Sequence, residues 1–349
     1  MGMLQRFVGA TTMGPAQSNR TVTHVAVPLG DSLPFINVVG DGTISNCWDT
    51  YVSMSRLSET QTRFERAGNG GTININFGYV RDSRLTTRYF GQITGLVGGS
   101  NVIPIGATQD LNKAWIVPMG MSASGDRDDE TGVKLTFADP DNVDATITTA
   151  AAGQELGFAV CSFEGLVGNV QAWASASNTA LNVALGSAVI PAQTAIWQTA
   201  RTTTAGAWNS QDVDTIDLLD ANNVRIFRYQ SGAGSVSDRA GFVVPFPADI
   251  RVQHPRRTVA NGVAVGATAL SMVNQDRAII VPNGACNHSD FATNVAGRVL
   301  SESEYQGSIS SPVNANFTRA NATNESTVAM QVIEWLAQPF VGAFMGNWV

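Results

Sequence analysis

Apolar and polar side chains alternate along the stretch Thr327–Trp335, near the end of the chain. The stretch is rich in residues that favour β-structure, so it predicts a strand with one buried and one exposed face. A second alternating segment, Val313–Arg319, precedes it, and the polar, turn-prone residues 320–326 lie between the two. Strand, polar connection and strand in this order predict a β-hairpin.

The same arrangement occurs three more times along the chain. The paired segments are Thr60–Arg66 with Thr72–Val80, Val143–Thr148 with Glu155–Phe163, and Val224–Tyr229 with Arg239–Phe246. The four arrangements open near residues 60, 143, 224 and 313, at steps of 83, 81 and 89 residues. Such a period is longer than that of short solenoid repeats and indicates tandem small domains.

A second repeat lies upstream of two of these arrangements. Lys113–Gly120 and Arg277–Gly284 both read as a basic residue, an apolar run, Pro and Gly. Each follows a Gly-Ala-Thr triplet, which begins at Gly106 in one case and at Gly266 in the other. The second and fourth repeats are therefore interpreted as duplicates, and the first and third as diverged copies.

These repeats predict an all-β fold of tandem antiparallel β-sandwich modules of Ig-like size. The predicted divisions are an N-terminal arm (1–20), modules 21–90, 91–167, 168–250 and 251–336, and a C-terminal interface tail (337–349). Small modules bury limited cores alone, so packing between modules and subunits is expected to add stability. The arm is predicted to contact a neighbouring subunit, with packing on its own domain as the alternative.

The C-terminal tail is the main candidate for an interface. After the predicted strand ends it is mostly apolar, and apolar or aromatic side chains at a chain end are good interface anchors. The candidate anchors are Pro339, Phe340, Phe344, Met345 and Trp348. Folding of the tail onto its own last module is the alternative.

Charge and cysteine content exclude several classes of function. The net charge of −7 argues against nucleic-acid binding as the main role. Only Lys113 and Lys134 are lysines, and a bias towards arginine suits interfacial pairing. The three cysteines are far apart and form no CxxC pair, so no zinc site or other cofactor is expected. No signal peptide or membrane-length apolar run is recognised, so synthesis in the cytoplasm and no membrane partner are expected.

Catalytic motifs are not recognised, so the protein is predicted not to be an enzyme. Asp126–Glu130 is better interpreted as a solvated loop than as a calcium loop, since the spacing of an EF-hand is missing. Asp212, Asp214, Asp217 and Asp220 are interpreted as a solvated strand face rather than a catalytic pair. A polysaccharide depolymerase, which needs only two carboxylates, stays an alternative.

The Val-x-x-x-Arg hairpins and the terminal strand Met330–Trp335 resemble those of virion structural proteins of tailed bacteriophages. The match is close in the fourth module, partial at Phe158–Glu164 in the second, and weak elsewhere, so it covers about half the chain. The resemblance implies a structural component of a virion, a symmetric oligomer on the capsid (as a decoration protein) or on the tail. Its expected partners are copies of itself and other virion proteins. No site residues carry over, because the shared pattern is a core strand.

A host-surface receptor-binding role is the alternative within the same resemblance. It requires a glycan held by aromatic side chains on loops, for which the candidates are Trp48, Trp173, Trp197 and Trp208.

Overall fold

The computed structural model describes residues 4–40, 51–68, 70–123, 132–151, 153–177, 179–203, 215–228, 237–287, 305–319, 325–336 and 340–345. Strands account for 64% of the structure and helix for 2%. The helical part includes two short 3₁₀ turns, Pro191–Gln193 and Gln275–Arg277. The predicted all-β fold class is confirmed.

The strands of the first half of the chain fall into two units of six. Unit 1 contains β1 Leu4–Met13, β2 Asn19–Thr23, β3 Ser32–Gly40, β4 Ser53–Ser58, β5 Gln61–Glu65 and β6 Ile73–Arg81. Unit 2 contains β7 Leu85–Thr94, β8 Gly99–Pro104, β9 Ala114–Ser122, β10 Lys134–Asp139, β11 Asn142–Ile147 and β12 Glu155–Phe163.

The second half repeats this division and adds one strand at the end. Unit 3 contains β13 Gln171–Ser177, β14 Leu181–Ala184, β15 Thr194–Thr202, β16 Thr215–Leu218, β17 Asn223–Phe227 and β18 Ser237–Pro245. Unit 4 contains β19 Ile250–Gln253, β20 Arg256–Val259, β21 Val265–Ala269, β22 Ala278–Asn287, β23 Tyr305–Ser311, β24 Asn314–Arg319 and β25 Ser326–Trp335. The last strand is β26 Phe340–Met345.

All four units share one topology, with strand positions that we letter a to f in chain order. The inner sheet has the order a-f-c: β1-β6-β3, β7-β12-β9, β13-β18-β15 and, in unit 4, β19 and β20 beside β25 and β22. The outer sheet has the order b-e-d: β2-β5-β4, β8-β11-β10, β14-β17-β16 and β21-β24-β23. Position a of unit 4 is split because Pro255, which has no backbone N–H, lies between β19 and β20. The four-fold repeat in the sequence is thus a repeat of topology.

The strands of each predicted hairpin are present, but the prediction that they pair with each other is wrong. Strand e lies in the outer sheet and strand f in the inner sheet, so the polar connection crosses from one sheet to the other. In units 3 and 4, apolar side chains of the two sheets meet in a common core, which includes Ile226 with Val243 and Phe317 with Val332. Alternation shows that a strand has a buried face, but it does not show whether the next strand lies beside it or across the core.

The four units close into a ring with the c strands at its centre. β3 contacts β9, β9 contacts β15, β15 contacts β22, and β22 contacts β3 again. Each d strand packs on the inner sheet of the next unit: β4 on unit 2, β10 on unit 3, β16 on unit 4 and β23 on β3 of unit 1. Accordingly, one apolar core extends through units 1, 2 and 3 and reaches Trp335 of unit 4.

Ring closure explains one error in the prediction of the final core strand. All ten residues of β25 are buried, whereas one exposed face was predicted. Its polar side chains are buried because they bind neighbouring strands. The Gln331 amide accepts from the Ile196 backbone N–H (2.9 Å) and donates to the Ile196 carbonyl (2.6 Å), linking unit 4 to β15 of unit 3. The Glu334 carboxylate pairs with Arg251 of β19.

Candidate interaction surface

The predicted interface tail forms an edge strand of unit 1. β26, which contains Phe340, Phe344 and Met345, pairs in parallel with β1, whereas Pro339 and Trp348 lie outside the described residues. β26 follows the f strand of unit 4, just as the a strands of units 2, 3 and 4 follow the f strands before them. β26 therefore runs in the direction of an a strand. Because β1 is also an a strand, the two strands pair in parallel. β1, within the predicted N-terminal arm, pairs with β6 over nine residue pairs. The tail and the arm therefore meet each other in the ring.

Truncation after Leu336 is expected to lower stability while leaving the β-structure intact. It removes the parallel pairing of β26 with β1, worth on the order of 2 kcal/mol if a few hydrogen bonds contribute about 1 kcal/mol each. Urea unfolding followed by circular dichroism measures the loss. If light scattering also shows that an oligomer becomes monomeric, the strand is exchanged between copies. An unfolded truncated protein would mean that the tail belongs to the core and has no interface role.

The loop face of the ring consists of the b–c loops, the d–e turns and the f–a connections of the four units. In each unit the d–e turn accepts a backbone hydrogen bond from the b–c loop: Val27 N to Glu59 O (2.8 Å), Gln109 N to Pro140 O (2.9 Å), Val189 N to Ala221 O (2.8 Å) and Val273 N to Pro312 O (2.7 Å). The f strand ends where the c strand begins, as the pairs Arg81–Ser32 and Glu334–Ala278 show. The three kinds of connection therefore share one side of each unit.

A buried network of hydrogen bonds and ion pairs shows that the sides with these connections lie on the same face of the ring in all four units. The Asp82 carboxylate, after the f strand of unit 1, accepts from Arg84 Nη2 (2.8 Å) and from Trp335 Nε1 of unit 4 (3.1 Å). Arg84 also pairs with Asp249, at the connection between units 3 and 4 (2.9 Å), and lies over the ring of Phe163 at the end of unit 2. Burial alone would lower the pKa of Arg84, but the carboxylates of Asp82 and Asp249 raise it above its ordinary value. The network therefore gathers the f–a connections around the ring axis.

Exposed apolar side chains concentrate on the loop face. Of the fourteen large apolar side chains that are exposed in the described part of the chain, ten lie at these connections or within two residues of them. They are Val25, Leu29, Leu57, Leu111, Val167, Ile190, Leu219, Met272, Val313 and Leu336. Every unit contributes at its b–c loop, with Leu29, Leu111, Ile190 and Met272, of which Met272 is 72% exposed. Apolar side chains grouped in this way mark an interaction surface.

The charges around these apolar groups are mostly negative. Seven acidic side chains are exposed on the loop face: Glu59, Asp110, Asp139, Asp141, Glu164, Asp220 and Asp276. Among the described residues of the same connections, each lysine or arginine is only half-exposed, as Lys113 and Arg277 are. The turn carboxylates are also fixed in place. Asp139 accepts from the Asn142 side chain, and Asp220 accepts from the Asn222 backbone N–H and from the Asn223 side chain, and these hydrogen bonds lower the pKa of both aspartates. The loop face is thus apolar and acidic.

A cavity of about 240 Å³ lies on the ring axis. All four c strands line it, chiefly with Phe35, Pro118, Trp197 and Pro282. The Asn283 side chain also lines this cavity and is buried, and its Nδ2 has no hydrogen-bond partner among the described residues. The cavity is large enough for several water molecules, and a buried amide nitrogen such as Asn283 Nδ2 requires a hydrogen-bond acceptor of this kind.

The remaining sequence candidates do not form a site in the described residues. Trp173 and Trp197 lie on β13 and β15 and are buried, so neither can stack on a sugar from a loop. Asp217 is buried and pairs with Arg225 (2.6 Å) and Arg256 (3.3 Å). Trp48, Trp208, Asp212, Asp214 and Asp126–Glu130 lie outside the described residues. In the part of the chain that the structure describes, no group of three His, Cys, Asp or Glu side chains could hold a metal ion.

Of the three cysteine side chains, the structure describes that of Cys161. The Cys161 thiol is free and buried in the core, and burial raises its pKa to about 12, so it is a structural group without reactivity.

Sequence reasoning missed the apolar loop face, although a signal for it was present. Leu111, Ile190 and Met272 stand three, four and six residues before a c strand, in the same loop of the repeat. A comparison of the repeats loop by loop, rather than strand by strand, would have found them.

Comparisons with known proteins identify no relative. No protein-family model, no curated protein and no solved structure matches the chain. Among the described residues, none of the helices has the length and apolar character to span a membrane.

Proposed function

We propose that the protein is a structural component of a phage virion that attaches to another protein of the particle, in the capsid or the tail, through its loop face. The observation that supports the proposal is the repetition of exposed apolar side chains at equivalent loops of all four units. A face with several exposed apolar anchors suits a stable protein–protein contact, since burial of anchors such as Ile190 and Met272 provides most of the binding energy.

Charge selects the kind of partner. Two loop faces in direct contact would bring their exposed carboxylates together, and like charges oppose such pairing. A partner with apolar side chains surrounded by lysine and arginine complements the loop face. Nucleic acid and anionic membranes would be repelled by the same carboxylates. Copies of this chain are therefore expected to lie side by side on the partner surface in a symmetric array, rather than face to face.

Carboxyl-to-amine cross-linking with a carbodiimide on intact particles tests the partner. Because the chain has only Lys113 and Lys134, cross-links to other lysines identify a different protein. We expect cross-links from Asp139, Asp220 or Glu59 to lysines of a capsid or tail protein. The pair Lys113–Glu164, 3.0 Å apart, is the internal control for the reaction. Cross-links of these carboxylates exclusively to lysines of the same chain would overturn the proposal.

Substitution of the apolar anchors tests the surface itself. Ile190→Ser with Met272→Ser is expected to weaken attachment to particles by about tenfold or more, as for loss of two interface anchors. The matched control is Val102→Ser with Val265→Ser, because both valines are exposed (59% and 51%) but lie on b strands, away from the loop face. Equal attachment of both double variants would contradict the assignment of the surface.

Gold-tagged antibodies on purified particles would place the protein on heads or tails. If denatured particles give no signal on a blot, the protein is not in the virion and the proposal fails. The alternative of glycan recognition has no support from the described aromatic side chains, since Trp173 and Trp197 are buried.

A further inference from the structure

Two glutamates from different units meet at the contact between units 1 and 2. Glu65 ends β5 in the outer sheet of unit 1, and Glu155 begins β12 in the inner sheet of unit 2. The Gln92 side chain of β7 donates from Nε2 to a carboxylate oxygen of each glutamate, and to Ser53 Oγ of β4 (3.1 Å). Because one amide nitrogen donates to both, the two carboxyl groups lie side by side at the Gln92 side chain.

Few positive charges face this pair. Arg63, two residues before Glu65 on β5, pairs with the Glu65 carboxylate. Arg66 lines the adjoining cavity, but its guanidinium donates to the carbonyls of Gln17 and Gly14. On β4, β7 and β9, the neighbouring groups are the neutral Ser53, Gln92 and Ser122. Among the residues that the structure describes, one arginine therefore serves two carboxyl groups, and only one of these groups can ionise without repulsion.

We propose that Glu65 and Glu155 form a pH-sensitive contact, which holds units 1 and 2 together while the pair shares a proton and loosens when both carboxyls ionise. The shared proton forms an O–H···O hydrogen bond from the neutral carboxyl to the charged one, across the boundary between the units. Solvent can supply and remove the proton, because the pair borders a cavity of about 380 Å³.

The roles of the two glutamates differ. Burial, and then the Glu65 carboxylate, raise the pKa of Glu155 to about 7. Hydrogen bonds from Glu155 and Gln92, together with Arg63, lower the pKa of Glu65 against the opposing effect of burial. Glu155 therefore carries the proton, and Glu65 carries the charge.

The direction of the pH effect follows from these shifts. Because the pKa of Glu155 is higher in the folded chain than in the unfolded chain, the folded state holds the extra proton, and stability falls as pH rises towards about 7. The lowered pKa of Glu65 acts in the opposite sense, and its contribution is lost only in more acidic solution. The contact is therefore strongest in mildly acidic solution.

The test is urea unfolding of the full chain from about pH 5.5 to about pH 8.5. In the wild type we expect the urea midpoint to fall as pH rises to about 7 and to change little above it. Glu155→Gln replaces the protonated carboxyl by a neutral amide that can still donate to Glu65. Its midpoint is expected to lose most of this fall and to exceed the wild-type value in alkaline solution.

Glu164→Gln is the matched control, since Glu164 is exposed and its carboxylate pairs only with Lys113 at the surface. It is expected to keep the pH dependence of the wild type. If Glu155→Gln keeps that dependence as well, the proposal is wrong. If Glu155→Gln does not fold, carboxyl-carbon NMR of the wild type decides. A glutamate that titrates near pH 7 supports the proposal, and titration of every glutamate in the ordinary acidic range overturns it.

Discussion

Asp82→Ala is expected to lower the free energy of unfolding by about 3–5 kcal/mol, the cost of breaking a buried ion pair on one side. The Asp82 side chain is completely buried and accepts from the Arg84 guanidinium through both carboxylate oxygens. Without the Asp82 carboxylate, Arg84 still pairs with the carboxylate of Asp249, but Trp335 Nε1 loses its hydrogen-bond acceptor. A buried donor without an acceptor adds its own desolvation cost.

The effect is expected to extend over the whole ring, because the partners of Asp82 come from different units. Arg84 begins unit 2, Asp249 joins units 3 and 4, and Trp335 ends the last core strand. Loss of the carboxylate therefore weakens several unit boundaries at once. We expect Asp82→Ala to broaden the urea transition as well as shift it, since units that no longer support one another unfold less cooperatively.

Asp249→Ala is the matched control. Asp249 binds the same arginine, but 24% of its side chain is exposed, and a partly exposed ion pair is worth about 1 kcal/mol or less. Urea unfolding followed by both tryptophan fluorescence and circular dichroism measures the two variants. Equal losses of stability would mean that the network acts through the charge of Arg84 alone and that the burial of Asp82 is unimportant.

Much of the fold could be predicted because strand alternation and repetition are local properties of the sequence. The strand pairs at Val224–Tyr229 and Arg239–Phe246 correspond to β17 and β18 within a few residues. Sheet membership could not be predicted in this way. Val224 and Val243 face one core from different sheets, and their alternation would be the same in a hairpin.

Ring closure escaped prediction because its evidence is spread over distant residues. Gln331 reads as the polar side of a half-exposed strand, yet it binds the backbone of Ile196, 135 residues earlier. The signal was the presence of Gln331 and Glu334 in a run of strong β-formers. A buried strand tolerates such polar side chains only when each polar group has a hydrogen-bond partner. The partner itself becomes apparent only when the four units are assembled.

The interface prediction concerned the C-terminal tail and not the loop face. The tail that contains Phe340 and Phe344 was chosen for its aromatic content, and the structure pairs its backbone with β1. Whether the same tail also contacts other subunits stays a prediction. The loop face was not chosen, because Ile190 or Met272 alone is an ordinary exposed apolar residue. The loop face is recognised only from the recurrence of such residues at the loops of all four units. That recurrence is visible only when the arrangement of the units around the ring is known.

The second large effect is expected at Gly157, where the backbone of β12 approaches β4 of unit 1. A Cβ atom on Gly157 would lie 2.3 Å from the backbone oxygen of Met54, and 3.2 Å from the Cβ of Met119. A backbone oxygen cannot move aside as the end of a side chain can. We therefore expect Gly157→Ala to lower the free energy of unfolding by about 3 kcal/mol, at the upper end of the range for overpacking.

Gly30→Ala is the matched control, since a Cβ at Gly30 would have no atom within 4 Å. It is expected to change stability by less than about 0.5 kcal/mol. A small effect at both positions would show that β4 does not pack closely on β12. Gly157 lies two residues after Glu155, so separation of these strands by Gly157→Ala should also draw Glu65 away from Glu155. The variant should therefore lose the pH dependence of stability together with the packing, which links the shape of the unit boundary to its protonation.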